Sequence, residues 1–236
     1  MSKGGSSKGP VTRPGRYVYP WPRPSVTADV ALFRLSSLAA PARLEILLIR
    51  RGRPPFAGTW ALPGGFVDRD EDLPHAAARE LAEETGVRKP RVEQVGVVGT
   101  PGRDPRGHTV TALYVAATTP ARGSATAGDD ASEVGWFSPD ELPALAFDHG
   151  DLVAWSVAHL RDRLGRTPVF FDLLPRRFGT RELAAAWSAV TGSKRGLATR
   201  LARWRASAVV VADGGDLKLD RRALARLDPL ALRAGR

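Results

Sequence analysis

The sequence has 236 residues, which suits one large domain or two small ones with enough length for a hydrophobic core. It contains no cysteine, which excludes a disulfide framework and a thiolate zinc site. Residues 1–150 carry 18 Lys and Arg against 17 Asp and Glu, whereas residues 151–236 carry 17 against 8. The net charge of +10 therefore lies mostly in the last third of the chain. It indicates either a polyanionic partner such as nucleic acid or simply an arginine-rich surface.

The N-terminal segment, residues 1–24, is rich in glycine, serine and proline and predicts a flexible or extended arm. It has no apolar segment after its lysines, so it does not resemble a secretory signal. No run of about 18 apolar residues occurs in the sequence, so we expect no membrane span. Together with the absence of cysteine, these features favour a cytoplasmic protein.

Residues 25–165 alternate between strand-like and helix-like patterns, which predicts a mixed α/β domain. Runs of β-branched and apolar residues predict strands at 25–35, 43–51, 91–100, 109–118 and 133–139. The stretch 58–67 predicts a short strand, a turn and a second short strand. Helices are predicted at 74–85 and 148–164.

Residues 166–236 predict a smaller and strongly basic module. Its predicted elements are a short strand at 170–175, helices at 180–192 and 193–207, a hairpin at 208–219 and a final helical turn. Thr180 is expected to cap the first of these helices. Because helix, turn, helix and hairpin follow one another in this order, the module is predicted to be winged-helix-like.

Three glutamates crowd the end of the helix predicted at 74–85. At 100° per residue, Glu80, Glu83 and Glu84 share an arc of roughly 100° on one face. Like charges one turn apart destabilise an isolated helix by a few tenths of a kcal/mol, and a bound divalent cation would reverse that effect. Oxygen ligands of this kind suit Mg²⁺ or Mn²⁺. As a bare cluster, the glutamates also fit a solvated acidic face.

The spacing around these glutamates decides between the two interpretations. From Gly65 to Val87 the sequence reads G-x5-E-x7-R-E-U-x-E-E-x-G-U, where U is a bulky apolar residue. This pattern resembles the Nudix box, with every defining position filled, and the wider resemblance covers residues 25–165. It implies an α/β/α sandwich whose active site is formed by the loop–helix–loop of the box.

The resemblance to the Nudix family also implies roles for individual residues. The implied metal ligands are Glu80, Glu83, Glu84 and the carbonyl of Gly64, and the implied supports of the box are Glu71 and Arg79. Glu80 would serve as a further ligand or as the catalytic base. The implied reaction is hydrolysis of a nucleoside diphosphate linked to another group. A metal ion would neutralise the pyrophosphate while a carboxylate accepts a proton from water.

A later acidic residue usually completes the metal site of Nudix proteins. The segment 127–137 offers Asp129, Asp130 and Glu133, of which we favour Asp130. Each of the three also fits the description of an ordinary loop acid.

The substrate is indicated by the segment RDPRGHTV, residues 103–110. It resembles the corresponding segment of ADP-ribose pyrophosphatases, which implies cleavage of ADP-ribose to AMP and ribose 5-phosphate. Arg103 and Arg106 suit pyrophosphate oxygens, and Arg51 is a further candidate at the end of a strand. The alternative is that contacts between Asp104 and Arg106 merely hold the loop in shape.

Aromatic and histidine side chains give weaker signals. Trp60 and Trp136 could stack on a base, although buried aromatic residues more often belong to a core. His75, His149 and His159 show no metal-ligand spacing, and we expect them to lie on the surface.

The basic module resembles, over residues 170–204, the C-terminal winged helix of the NrtR-like Nudix-related transcriptional regulators. These regulators act in NAD metabolism and sense ADP-ribose-type ligands. Recognition helices use cations and small polar groups to contact phosphates and base edges. The residues of this kind here are Lys194, Arg195, Thr199, Arg200 and Arg203. The alternative is that the helix only packs or mediates dimerisation.

Two functions therefore stay open: a metal-dependent hydrolase, and a DNA-binding regulator whose Nudix domain senses a ligand. Such regulators often have a box in which ligand glutamates are replaced, whereas every box glutamate is present here. The intact box favours hydrolysis and the basic module favours DNA binding, and the two can coexist. We predict hydrolysis as the main function, in a protein that forms homodimers as Nudix proteins of this type often do.

Overall fold

The computed structural model describes residues 11–13, 16–18, 21–88, 90–128 and 131–227. The strands are β1 (Val11–Arg13), β2 (Arg16–Val18), β3 (Ser25–Leu35), β4 (Leu44–Arg51), β5 (Trp60–Ala61), β6 (Gly64–Phe66), β7 (Val92–Val98), β8 (Thr109–Ala117), β9 (Ala131–Phe137), β10 (Arg177–Phe178), β11 (Val210–Asp213) and β12 (Asp216–Leu219). The helices are α1 (Leu73–Thr85), α2 (His149–Asp162), α3 (Pro168–Asp172), α4 (Thr180–Thr191), α5 (Leu197–Ala206) and α6 (Arg221–Leu227). Within this part of the chain, no helix is long and apolar enough to cross a membrane.

A seven-stranded sheet forms the centre of the molecule. Its main path runs β5-β4-β3-β8-β7, while β6 pairs with β3 and β9 pairs with β4. The central strands β3 and β8 are parallel, and the other pairs are antiparallel. β6 lies antiparallel to the first half of β3, with Gly64 opposite Asp29. This pairing fixes Gly65, the first residue of the Nudix-box pattern, beside β3 in the sheet.

Helices cover both faces of this sheet, because successive side chains of β3 point to opposite sides. Ala31 and Phe33 belong to the core under α2 and α3, whereas Val30 and Leu32 belong to the core under α1. The predicted α/β/α sandwich is therefore confirmed.

The C-terminal elements form a second, smaller layer around a three-stranded antiparallel sheet of order β10-β12-β11. Here Trp204 of α5 is 2% exposed, and its ring lies 5.1 Å from that of Phe171 and 6.1 Å from that of Trp187. The Trp204 indole donates a hydrogen bond of 3.0 Å to the carbonyl of Gly165. One hydrophobic core joins these residues to the main sheet. A division of the chain after residue 165 stays a prediction.

The structure differs from the predictions at three places. The strand predicted at 170–175 is wrong, because residues 168–172 form α3, which starts with Pro168 and packs against β8. Thr180 does not cap α4, since Gly179 holds that position and its N–H donates to Glu182 Oε2 at 2.6 Å. The second basic helix begins at Leu197 rather than at residue 193, after Gly196 with its positive φ of 82°.

The predicted N-terminal arm contains a minimal hairpin in which β1 pairs antiparallel with β2, with Val11 opposite Val18. The rest of residues 1–20 lies outside the described part of the chain.

Candidate active site

Helix α1 has fixed ends, which sets the positions of its glutamates. The Asp72 carboxylate accepts a 2.9 Å hydrogen bond from the backbone N–H of His75, and Pro74 occupies the first turn. At the other end, Gly86 adopts the left-handed conformation and donates to the carbonyl of Ala82 at 2.9 Å. Leu81 is fully buried against the sheet. The opposite face of α1 therefore presents its charged residues.

Arg79 connects three box glutamates through one guanidinium. Its Nε and Nη2 each donate a 2.8 Å bond to the Glu71 carboxylate, while Nη1 donates to Glu80 Oε1 at 2.8 Å and to Glu83 Oε2 at 3.1 Å. The hydrogen bonds from Arg79 lower the pKa of Glu71 to about 2. Nη2 also donates to the carbonyl of Phe66 at 3.1 Å, which fixes the loop before α1 to the helix. Glu71 and Arg79 thus occupy the bracing positions that the box implied.

Glu84 and Glu80 are the box carboxylates that face inward. Glu84 Oε2 accepts a 2.8 Å hydrogen bond from the backbone N–H of Gly64, and burial raises the pKa of Glu84 to about 8. Burial also raises the pKa of Glu80. A Cβ added to Gly65 would lie 2.5 Å from Glu80 Oε1, so glycine lets the loop approach this carboxylate. Two acids one turn apart thus share a confined site where a cation would be stabilising.

These carboxylates line a cleft of about 400 Å³. Among the predicted site residues, those that line it are Glu80, Glu84, Gly64, Arg51, Arg103 and Arg106. Glu83 is not among the lining residues, since its side chain is 54% exposed and is bonded to Arg79. Neither Trp60 nor Trp136 is among the described lining residues. The lining therefore contains a group of carboxylates, here called the acidic wall, and a group of arginines, here called the cationic wall.

Four arginines line the cleft, and the three of them that the sequence predicted, Arg51, Arg103 and Arg106, differ in their partners and exposure. Arg103 is 6% exposed, and its Nε and Nη2 bind the two oxygens of Asp148 at 2.8 and 2.6 Å. Arg106 pairs with Asp104 at 2.7 Å but is 43% exposed. Arg51 donates from Nε to the carbonyl of Pro55 at 2.8 Å. Arg106 Nε also donates to Asp104 Oδ1 at 3.0 Å, so this pair holds the loop in the way that the alternative interpretation expected. Arg106 differs from Arg103 in its greater exposure.

Two aromatic rings lie beside these arginines. The guanidinium of Arg106 is 5.0 Å from the ring centre of Phe66 and 5.6 Å from that of Phe147, and the guanidinium of Arg51 is 4.9 Å from the Phe147 ring. Phe66 is 44% exposed, so its ring offers an accessible flat surface at the edge of the cleft.

The prediction that His149 lies on the surface is wrong. It is 5% exposed, lines the cleft, and its Nδ1 accepts a 2.9 Å hydrogen bond from the backbone N–H of Leu62. Burial lowers the pKa of His149, so the ring is neutral and carries its proton on Nε2. His159 is also partly buried, with Nε2 at 2.9 Å from Glu93 Oε1. The residues that hold these two histidines, Leu62 and Glu93, are more than 60 residues away in the sequence, so the burial of His149 and His159 depends on the tertiary fold.

Asp29 of β3 is a cleft residue that sequence reasoning missed. It is 6% exposed, lies opposite Gly64 in the sheet and accepts a hydrogen bond from the Thr111 hydroxyl. A single acid inside an otherwise apolar strand is the signal that could have identified it, because strands buried on both faces rarely contain charges. Asp29 is close enough to raise the pKa of Glu84 through its charge, so it adds a carboxylate to the acidic wall.

The similarity of the chain to known proteins agrees with the geometry of this site. Residues 33–156 match the model of the NUDIX domain, which covers more than half of the chain. The chain belongs to the Nudix family. Members of this family generally act with divalent metal ions.

Two curated relatives of this Nudix protein have different printed functions. The ADPR responsive transcriptional repressor NtrR of Acinetobacter baylyi is 37% identical over 177 residues, which are 73% of this chain and 68% of the repressor. An ADP-ribose pyrophosphatase of Methanocaldococcus jannaschii is 43% identical over 109 residues, or 46% of this chain and 63% of that enzyme. The first similarity extends beyond the Nudix domain, whereas the second is shorter.

A solved structure resembles the Nudix protein over most of its length. Shewanella oneidensis NrtR complexed with a 27mer DNA has a TM-score of 0.69 and 27% identity, and the match covers 85% of this chain and 95% of that one. The C-terminal elements therefore belong to an architecture shared with a Nudix-type regulator.

The acidic wall fits a divalent cation by the chemistry of its donors, which are all oxygens. Burial raises the pKa values of Glu80 and Glu84 even though Arg79 donates to Glu80, so a bound cation would favour their charged forms. Within the described ranges, no three acidic or histidine side chains form a ready metal cluster, and Asp130 lies outside those ranges. Glu83 is held by Arg79. The Nudix protein thus presents part of an oxygen-ligand set.

The residues predicted to bind DNA lie on and just before α5. Lys194, Arg195, Thr199 and Arg203 are exposed, and Arg200 is half-buried. Among the described residues, no carboxylate lies within salt-bridge distance of these cations. Because Trp204 anchors one face of α5 in the core, Thr199 and Arg203 point to solvent, whereas Arg200, one turn before Trp204, lies partly against the core.

Proposed function

We propose that this protein hydrolyses ADP-ribose to AMP and ribose 5-phosphate with Mg²⁺ or Mn²⁺. The observation that carries the proposal is that one cleft is lined both by the box carboxylates Glu80 and Glu84 and by Arg51 and Arg106. A pyrophosphate needs both, because its oxygens require cationic partners and its cleavage requires a bound ion and a proton acceptor. The similarity to an ADP-ribose pyrophosphatase supports the choice of substrate.

The cationic wall would bind and orient the substrate. Arg106 is 43% exposed, against 6% for Arg103, so we assign Arg106 and the neighbouring Arg51 to the pyrophosphate oxygens. Arg103 is enclosed by its bidentate pair with Asp148, so we assign it to holding the loop against the start of α2. The Phe66 ring offers a stacking surface for the base.

The acidic wall would hold the ion and the proton. We assign the ion to Glu80, Glu84, the carbonyl of Gly64 and Glu83. When bound, a divalent ion neutralises pyrophosphate charge and lowers the pKa of water. Arg79 keeps Glu71 and Glu80 in place, and a box carboxylate accepts the proton that water loses.

The test is the release of AMP from ADP-ribose with Mg²⁺ or Mn²⁺, comparing the wild type with Glu83→Gln. The matched control is Glu141→Gln, an exposed glutamate outside the cleft. We expect turnover by the wild type and the control and a loss of at least about 100-fold in Glu83→Gln. No turnover by the wild type on ADP-ribose or a panel of related nucleotides would contradict the hydrolase proposal.

We propose ligand-responsive DNA binding as a second function, because one observation favours it specifically. The basic face of α5 is exposed and followed by the β11–β12 hairpin, as in a winged helix. The similarity to a transcriptional repressor and to a DNA complex of NrtR extends over this part of the chain. The Nudix cleft would then serve as the sensor of ADP-ribose.

A salt series in a DNA mobility-shift assay tests this second function. We expect sequence-selective binding that weakens steeply with salt, and that Arg203→Ala weakens it while leaving ADP-ribose hydrolysis unchanged. Addition of ADP-ribose is expected to change the affinity. Equal, weak binding to all sequences would indicate only a charged surface and would overturn the regulatory proposal, leaving the hydrolase proposal untouched.

A further inference from the structure

A second cavity, of about 1150 Å³, lies between the Nudix sheet and the C-terminal elements. Its Nudix side is formed by the segment after α1 and by the end of β8 with the loop that follows, and its other side by α3, β12 and the start of α6. It shares no described lining residue with the catalytic cleft. It is therefore a separate recess, formed by both parts of the chain.

This interface cavity carries a strong positive charge. Seven cationic side chains line it, against two carboxylates, those of Asp172 and Asp220. Asp172 is already engaged, because Arg221 Nη2 binds its Oδ1 at 2.6 Å. Asp220 accepts hydrogen bonds from the backbone N–H groups of Arg222 and Ala223 at the start of α6. The recess thus has an excess of five positive charges.

Five of the lining cations form no salt bridge with a described carboxylate: Arg88, Arg122, Arg176, Lys218 and Arg222. Arg91 is poorly satisfied as well, since its Nε is buried without a hydrogen bond and lies 3.8 Å from Asp172 Oδ2. Burial and the neighbouring Arg221 lower the pKa of Arg91. Like charges held together without counterions favour the binding of an anion.

The shape of the recess selects the kind of anion. The recess lies between two parts of one chain, and the predicted DNA-binding residues on α5 do not line it. Apolar side chains, including Val87, Leu174 and Val211, lie between the cations. This combination of arginines and apolar surface suits phosphates attached to an organic group.

We propose that the interface cavity is a second ligand site, which binds a small phosphorylated anion of the nucleoside di- or triphosphate class. Both sides of the recess contribute cations, so the bound anion would hold the Nudix sheet and the C-terminal elements together. Such a ligand stabilises the arrangement it binds and thereby couples the two parts of the chain. The proposal is independent of whether the catalytic cleft hydrolyses ADP-ribose.

The test uses inorganic tripolyphosphate and ATP as probes, titrated into the full chain by calorimetry with EDTA to exclude divalent ions. The variant Arg122→Glu/Arg222→Glu changes two exposed cations of the interface cavity. The matched control, Arg43→Glu, changes an exposed arginine that lines neither cavity. Arg106→Ala reports on binding in the catalytic cleft.

We expect the double variant to weaken binding of both probes at least about ten-fold, since charge-assisted contacts to phosphate contribute about that much each. Arg43→Glu should change it less than about two-fold. Both probes contain pyrophosphate groups, so Arg106→Ala measures how much of their binding occurs in the catalytic cleft. Three results would overturn the proposal: no binding by the wild type, equal weakening by Arg43→Glu, or a dominant loss in Arg106→Ala. A DNA affinity that falls in the double variant as much as probe binding would instead assign this surface to DNA. Circular dichroism of each variant verifies folding.

Discussion

Helices α1 and α5 both carry many charges, but they hold them in opposite ways. On α1, one arginine binds three glutamates, and both helix ends are capped. On α5, the cations point outward without carboxylate partners among the described residues, and no side chain caps the start of the helix. The difference matches their proposed ligands. Binding of a small pyrophosphate near α1 requires a preorganised site, whereas α5 can bind a long polyanion such as DNA through a solvated basic surface.

The variant Trp204→Ala tests whether only the buried face of α5 stabilises the helix. Of the variants discussed here, we expect it to cause the largest loss of stability. The ring is 2% exposed and lies among Phe170, Phe171 and Trp187, so we expect a loss of about 3–5 kcal/mol in the free energy of unfolding. Urea unfolding measures it. The neighbouring exposed Arg205→Ala should change stability by less than about 0.5 kcal/mol. Similar losses in both variants would show that the outward charges also stabilise α5.

Replacing one arginine on each helix by alanine tests the difference between α1 and α5 directly. Arg79→Ala should lower ADP-ribose hydrolysis by about 10–100-fold and destabilise the fold by about 1.5–3 kcal/mol, because it leaves three carboxylates without their donor. Arg203→Ala should affect neither quantity and should weaken only DNA binding. Kinetics and unfolding of both variants measure this. An Arg203→Ala variant as unstable as Arg79→Ala would remove the distinction.

The helix caps provide a smaller test. Asp72→Ala removes the side chain that accepts the His75 N–H, so we expect a loss of about 1 kcal/mol in stability. Thr180→Ala should cost less than about 0.5 kcal/mol, because Gly179 rather than Thr180 is the cap of α4. Thermal unfolding distinguishes the two. Equal losses would restore Thr180 as a capping residue.

A last test concerns acid stability. Arg79 holds the pKa of Glu71 at about 2 instead of 4.5, so the folded state binds this proton less readily than the unfolded state. The resulting stability is complete above pH 4.5 and is lost as the pH falls towards 2. Glu71→Gln should therefore lose less stability than the wild type over this range. Unfolding at several pH values, with Glu141→Gln as the control, measures the difference; parallel curves for all three proteins would contradict it.

Helix α1 could be predicted from the sequence because several independent signals for a helix occur within one short segment. The helix predicted at 74–85 is α1 at Leu73–Thr85, because its cap, its proline, its apolar face and its final glycine all act within the segment. The strand predicted at 170–175 is wrong because short apolar runs fit either state, and packing against β8 decides. His149 could not be placed from the sequence, since the donor that fixes it, Leu62, is 87 residues away.

The aromatic cluster around Trp204 has a spectroscopic consequence. Indole emission shifts to longer wavelength when water reaches the ring, and Trp187 and Trp204 are now 6% and 2% exposed. Both touch Phe170, at the junction between the main sheet and the C-terminal helices. If the C-terminal helices separated from the main sheet, water would reach Trp187 and Trp204, and a red shift of their fluorescence would report the separation.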